Sequence, residues 1–522
     1  MGRKRKTLHP DEPLLHPDHA RPTTRRDFIR QGMLSGGAVL TSGSLFSLFA
    51  HPKTAYATLS DDITAMASAA GCAVGGSVSP KIPIICFDLA GGANIAGSNV
   101  LVGTQGQLDG MSEVAYSRLG LPNSMLPTDP AFVDPRLGLA FHSDSAILAG
   151  ILEKASGIIG NTNGIVIPAR SDNDTANNPH NPMYGLARAG VVGSVTPLIG
   201  SRNSDSGGNS MSPAALMDPE FRPVKVDRPS DVAGMVDTGD LTAILNDPQD
   251  VTAVMESIAR LSHNKLGRVQ TQLTRDAVIK DLVRCGYLSA ADLADRFAGV
   301  NINPAEDAVI VTPIDQAEDG TSIFRRDEFD SDGEFRKTAS VMKMVVDGYA
   351  GAGTITMGGF DYHTGDRATG ERRDLRAGRC IGACLEYARR RSSSLIIYVF
   401  SDGSVSSNGR IDSSTDGRGK GEWTSDNSST AASFMLVYNP ATSPVLTPTY
   451  ENTRQIGTFS SAGAVIAGSS PASNNVNLLV NTVLLNYMAL NGDIAGFTGI
   501  FPPGISHGLG SGYEQYAAFQ AL

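Results

Sequence analysis

The chain has 522 residues, 57 of them glycine, and a formal charge of −10 at neutral pH. With 41% hydrophobic and 18% charged residues it is too apolar for a disordered chain, and one Trp with five Cys does not make a disulfide scaffold. The acidic balance excludes nucleic acid as the main partner, because neutralising phosphates requires a Lys/Arg surplus.

The N-terminus reads as an address. Arg3, Lys4, Arg5 and Lys6 open it, and Thr24-Arg25-Arg26-Asp27-Phe28-Ile29 follows. An apolar Gly/Ser-rich run extends from Gly32 to Ala50, and Ala55-Tyr56-Ala57 places small residues where a signal peptidase reads. The paired arginines look like a twin-arginine export signal. Residues 1–57 are therefore expected to be a signal peptide that engages the twin-arginine export machinery and delivers the chain to the periplasm or the outside. Retained instead, the apolar run is nearly long enough to span a bilayer; once it is cleaved, no stable membrane span remains. Cleavage after Ala57 removes nine Lys/Arg and four Asp/Glu, moving the net charge from −10 to −15. That counts further against nucleic acid or an anionic membrane surface as a partner.

Residues 58–80 are Ala/Ser/Gly-rich and read as a flexible arm or short helix. Residues 81–522 read as a single α/β domain. Ile82–Phe87 has the unbroken apolar character of a strand buried on both faces. It runs into Asp88-Leu89-Ala90-Gly91-Gly92-Ala93-Asn94, a glycine-rich turn. Helical spacing follows over Gly138–Ser156, and Gly164–Pro168 reads as a second strand. Ser171–Tyr184 and Arg202–Ser212 are polar loops. The most helical stretch, about 231–300, reads as a helical insertion, with apolar patches at Leu241, Ile244 and Leu245, at Val254, Ile258 and Leu261, and at Ala277, Ile279, Leu282 and Val283. Thr354–Gly358, Leu395–Phe400 and Phe434–Tyr438 are further strands. Helices are expected over about Asp374–Arg391 and over Val476–Leu490. This alternation implies a mostly parallel central sheet flanked by helices. The odd number and wide spacing of Cys72, Cys86, Cys285, Cys380 and Cys384 give no disulfide framework, and Cys86, Cys380 and Cys384 read as core.

Polar residues gather just past three strand ends, where ligands bind in open α/β sheets. They are Asp88 after the first strand, Asp361 and His363 after Thr354–Gly358, and Asp402 after Leu395–Phe400. Such an Asp/His set suits a divalent Zn, Mn, Mg or Ca ion able to polarise water. The plainer reading makes each Asp a turn cap. His180, in Asn177-Asn178-Pro179-His180-Asn181-Pro182, is the other candidate; it and Asp88 read as catalytic residues, with His180 contacting a substrate or its leaving group. His142 reads as a packing or capping residue. No Gly-x-Ser-x-Gly elbow, Walker loop or dinucleotide fingerprint is present.

The order of these motifs resembles the twin-arginine-exported bacterial proteins grouped as domain-of-unknown-function family 1501, which look like remote relatives of alkaline phosphatases and sulfatases. The resemblance covers roughly Ile82 to Pro440. It rests on Phe87-Asp88-Leu89-Ala90-Gly91-Gly92-Ala93, on Asn178–Tyr184, on Gly359-Phe360-Asp361-Tyr362-His363, and on Phe400-Ser401-Asp402-Gly403 with Asn408-Gly409. It implies an alkaline-phosphatase-like fold with metal ligands at Asp361, His363, Asp402 and Asp426. Two departures stand out. Asp402 occupies a position where the family usually has Glu. Ser425-Asp426-Asn427-Ser428 replaces an Asp-His-Gly motif, so the histidine has become Asn427, and a neutral amide is a poor ligand beside imidazole.

Two functional readings follow. One is a metal-dependent hydrolase of phosphate or sulfate esters. The other is a non-catalytic envelope binding or assembly protein on a degenerate hydrolase fold, for which a metal is not required. Both share one expectation: replacing Arg25 and Arg26 together by Lys leaves the full-length chain in the cytoplasm, whereas the parent is exported and shortened at Ala57. Cell fractionation with N-terminal sequencing reads the difference, and export of the double variant at the parental level contradicts the signal assignment.

Overall fold

Unbroken apolar runs become the centre of the fold because strands covered on both faces have no side to give to water. The computed structural model describes residues 59–69, 72, 81–171, 179–201, 212–236, 245, 247–270, 272, 274–297 and 300–522. The signal segment 1–57, residues 172–178 and 202–211 of the two polar loops, and Leu241 and Ile244 lie outside them. Eleven strands are present among the described residues: β1 (Ile84–Ala90), β2 (Val133–Leu137), β3 (Leu139–His142), β4 (Thr162–Pro168), β5 (Thr196–Gly200), β6 (Val224–Lys225), β7 (Ala350–Gly358), β8 (Leu395–Phe400), β9 (Val405–Asp412), β10 (Lys420–Asp426) and β11 (Ala432–Tyr438). Seven form the central sheet, in the order β4-β11-β8-β1-β7-β5-β6. β2 with β3 and β9 with β10 make separate antiparallel ribbons.

The sheet is mostly parallel, as the sequence implies. β1 pairs in parallel with β7 and β8, and β5 with β6 and β7. β11 departs from this, running antiparallel to both β4 and β8. The chain leaves β8, makes the β9–β10 ribbon, and returns through β11 on the same side. An antiparallel neighbour needs no crossover helix, and the sequence between β8 and β11 supplies none.

Alternation of side chains sorts the two faces. Ile85, Phe87 and Leu89 of β1 join one core with helices α2 (Ala146–Lys154), α6 (Gly333–Val346) and α7 (Ala368–Arg390). Ile84 and Cys86 join the other core with α3 (Met183–Arg188) and α8 (Val476–Leu490). Cys86, Cys380 and Cys384 are buried free thiols, as expected. α2 and α7 touch through glycine: a Cβ on Gly378 would lie 2.1 Å from the Ile147 carbonyl oxygen, and one on Gly150 2.3 Å from that of Leu375.

The insertion is a hairpin of α4 (Pro248–Arg268) and α5 (Asp276–Arg296). Asp247 caps α4 by accepting from the Gln249 amide, with Pro at the first helical position. Part of the arm read as flexible is helix α1 (Asp61–Ala69), which docks on this hairpin. Leu59, Ile63 and Ala67 pack against Ala259, Leu288 and Ala291. The Ser60 amide donates to Glu256, and Arg260 pairs with Asp62 at 2.6 Å. A disulfide between Cys72 and Cys285 closes the contact, correcting the cysteine reading. The partners lie 213 residues apart, so only the tertiary fold brings them together. No helix among the described residues is long and apolar enough to cross a membrane.

The glycine contact makes a direct prediction. Gly378→Ala should lose about 1–3 kcal/mol of stability through overpacking against backbone. Gly267→Ala, in α4 with open space around its Cβ, should gain up to about 1 kcal/mol. Urea unfolding of the two variants checks both signs; equal effects would deny that α2 and α7 need the glycine.

Candidate metal centre

β7 ends at Gly358, and the next five residues alternate in their environment. Phe360 and Tyr362 are buried, whereas Asp361 is exposed and His363 half-buried. The Phe360 amide donates to the Ala90 carbonyl, prolonging the β1–β7 pairing by one contact. The Tyr362 hydroxyl accepts from the Asn94 amide at 2.8 Å and donates to Asp374 Oδ1 at 3.2 Å. With Tyr362 held inward, its two neighbours turn out at the C-terminal edge of the sheet. His363 Nε2 lies 2.7 Å from Asp361 Oδ1 and 3.4 Å from Asp426 Oδ2. One ligand atom from each of the three residues falls within 4.8 Å of the others.

Asp426 reaches the group because the β9–β10 ribbon folds back on itself. It closes β10 opposite Val405, the first residue of β9, so the ribbon returns it to the edge it left. Asn427 takes a different role: its Oδ1 accepts from the Ser429 amide at 3.0 Å and the Ser429 hydroxyl at 2.7 Å, capping a short turn.

The glycine pair at the end of β1 fits between these loops. Gly91 has φ +123°, and a Cβ there would lie 2.7 Å from the Asp361 amide nitrogen. A Cβ on Gly403 would meet Gly92 Cα at 2.8 Å. Only glycine permits both the backbone angle and the approach. Asp402 Oδ1 accepts from the Gly91 amide at 2.8 Å. The Ser401 hydroxyl donates to the Leu89 carbonyl at 2.6 Å and accepts from the Ala93 amide at 2.9 Å. The structure thus groups Asp361, His363 and Asp426, and gives Asp402 to the turn that supports them.

Asp88 and His180 lie elsewhere. Asp88 sits inside β1 and not past its end, because the strand runs to Ala90. It is fully buried on the Ile84/Cys86 face, opposite Thr356 and Phe400 in the register, and its Oδ2 accepts from the Thr356 hydroxyl at 3.2 Å. His180 is buried and stacks on Phe400 with ring centroids 6.2 Å apart. Burial lowers its pKa to about 4, so the ring is neutral. The two share a sheet face but do not belong to the three-residue group. His142 packs as expected: Nδ1 accepts from the Asp144 amide, leaving Nε2 to donate to the Met125 carbonyl at 2.9 Å.

Behind Tyr362 lies a buried polar network that the sequence did not reveal. Asn99 Nδ2 donates to Asp374 Oδ2 at 2.7 Å. Arg367 pairs with Glu371 at 2.6 Å and stacks 4.5 Å from the Trp423 ring. Lys420 Nζ reaches both Glu371 carboxylate oxygens at 3.1 Å and the Asp144 carbonyl at 2.6 Å. Burial, helped by the Glu371 charge, raises the Asp374 pKa to about 7. Burial lowers that of Lys420 to about 7 against the pull of Glu371.

The donor set of two carboxylates and one imidazole suits Zn or Mn, and Mg or Ca less well because they favour all-oxygen shells. Asp361 and Asp426 are exposed and His363 half-buried, which leaves room for water on an ion held there. No protein-family model and no curated protein matches the chain. Fold and cluster together define an α/β protein with a mostly parallel sheet, compatible with an alkaline-phosphatase-like fold, and a group at its C-terminal edge able to hold one metal ion.

The Asp374 shift carries a signed consequence. The folded chain keeps a proton that the unfolded chain has released, from about pH 4 up to about pH 7. The contribution of this group to stability therefore falls as pH rises through that window. Asp374→Asn should flatten the acid-to-neutral limb of the stability profile and leave the alkaline limb, where Lys420 titrates, in place. Urea midpoints measured at intervals from pH 4.5 to 9 report it; an unchanged acid limb would contradict the assignment.

Proposed function

We propose that the chain is an exported protein of the alkaline-phosphatase and sulfatase-like type that hydrolyses a phosphate or sulfate ester at a divalent metal held by Asp361, His363 and Asp426. The observation that carries this reading is the convergence of those three side chains, from the loop after β7 and the end of β10, on one strand edge. A bound ion would act as a Lewis acid and lower the pKa of a coordinated water. The protein's own part is positional. Tyr362 and the Gly91–Asp402 turn fix the backbone on either side of Asp361, and the carboxylates of Asp361 and Asp426 offset the ion's charge. The Cys72–Cys285 disulfide supports the export reading, since such bonds persist in oxidising compartments.

Asn427 favours the second reading, a non-catalytic envelope protein. It stands where the resembled family has histidine, and its amide is engaged in capping Ser429. One experiment separates the two. Protein purified without a histidine tag is analysed for metal by mass spectrometry and assayed on an aryl phosphate and an aryl sulfate. The hydrolase reading expects close to one ion per chain, and at least tenfold weaker metal retention and loss of turnover in Asp361→Ala and in His363→Ala. Metal without turnover supports the non-catalytic reading. No metal and no activity after reconstitution removes the hydrolase.

A further inference from the structure

The insertion hairpin has an outer half that no other element among the described residues covers. On α5, Val278, Ile279, Leu282 and Val283 are 53%, 36%, 39% and 38% exposed. Their spacing puts them on one helical face, with Arg275 one turn before Ile279. The described part of the arm packs elsewhere: the small core it makes takes Cys285, Leu288 and Ala291 from α5.

Charge is distributed unevenly here. From Leu261 to Arg284 there are five Lys/Arg and two Asp. Both Asp are paired within α5, Asp276 with Lys280 at 2.6 Å and Asp281 with Arg284 at 2.8 Å. The surplus is Lys265, Arg268 and Arg275, all exposed and all at the tip where α4 ends and α5 begins. A chain with formal charge −10 thus carries a basic, apolar-faced tip. Exposed apolar side chains flanked by Lys/Arg are the composition of a helix that lies in a lipid interface.

A second observation points the same way. The chain enters the described structure at Leu59, which is buried against this hairpin. The apolar run Gly32–Ala50 ends nine residues before Leu59. Nine residues span at most about 30–32 Å, so as long as the signal segment is attached, whatever receives that run lies close to the hairpin.

We propose that the tip and the first two turns of α5 form a docking surface for an anionic lipid bilayer. The apolar face enters the headgroup region while Lys265, Arg268 and Arg275 meet lipid phosphates. Net charge alone argues against such a partner, and local charge reverses the expectation. The contact is peripheral and separate from the strand-edge metal group, so it stands whether or not the chain is a hydrolase.

Flotation of the full chain with vesicles tests it. Vesicles of pure phosphatidylcholine are compared with vesicles containing one third phosphatidylglycerol, at 50 and 500 mM salt. The expected result is binding to the anionic vesicles at low salt, weakened at least tenfold by high salt. Lys265→Gln/Arg268→Gln/Arg275→Gln and, separately, Ile279→Ser/Leu282→Ser should each weaken it at least tenfold. All five positions are exposed, and an intact Cys72–Cys285 bond with parental thermal unfolding confirms that the variants fold. Binding that both variants leave unchanged overturns the proposal, because the N-terminal segment alone would then account for it. Loss of a dimer in the Ser variant, with no vesicle binding by the parent, also overturns it by making a second copy the occupant.

Discussion

The Tyr362 hydroxyl lies between two partners, accepting from the Asn94 backbone and donating to the Asp374 carboxylate. Both contacts are inside the protein, where a hydrogen bond is hard to replace and an unpaired acceptor costs about 1–3 kcal/mol. Everything at the strand edge depends on this tether. Consecutive residues leaving a strand face opposite ways, so fixing the tyrosine inward fixes Asp361 and His363 outward. Asp374 belongs to α7, and α7 is seated against α2 through glycine contacts that leave little freedom to slide. A helix-packing constraint is thereby transmitted to the orientation of an imidazole.

Two further features complete the edge. The Gly91–Gly92 turn lets the 361 and 403 loops approach to distances no other residue allows, and Asp402 holds that turn by its amide. The β9–β10 ribbon then folds the chain back so that Asp426 arrives beside His363, and β11 leaves that edge antiparallel to β8. The network of Arg367, Glu371, Lys420 and Trp423 sits behind, well hydrogen-bonded and away from the exposed group. Its shifted pKa values follow from burial and belong to structure; perturbed groups mark sites only when they also face a cleft. By the same test, neutral buried His180 reads as a packed ring against Phe400.

Much of this was legible beforehand in particular residues. Leu395–Phe400 reads as a strand and is one, because six apolar residues in a row between polar segments have few alternatives. Of the four ligands the sequence suggests, Asp361, His363 and Asp426 stand together, while Asp402 accepts from the Gly91 amide instead. Asp88 was misplaced because its polar side chain looked like the end of an apolar run; the Thr356 hydroxyl that makes burial tolerable lies 268 residues away. The direction of β11 leaves no mark in a run such as Phe434–Tyr438, whose pattern is the same read either way. The Tyr362–Asp374 contact was hidden although both residues were in view, since neither motif spacing nor hydropathy announces a hydrogen bond.

The central claim is that Asp361, His363 and Asp426 hold one ion in common. A crystal soaked in manganese and measured for anomalous scattering tests it without reliance on activity. The account predicts a single strong peak within coordination distance of Asp361, His363 Nε2 and Asp426, absent in crystals of His363→Ala. A peak at Asp88 and His180 with the strand edge empty, or no protein-bound peak at all, would contradict it.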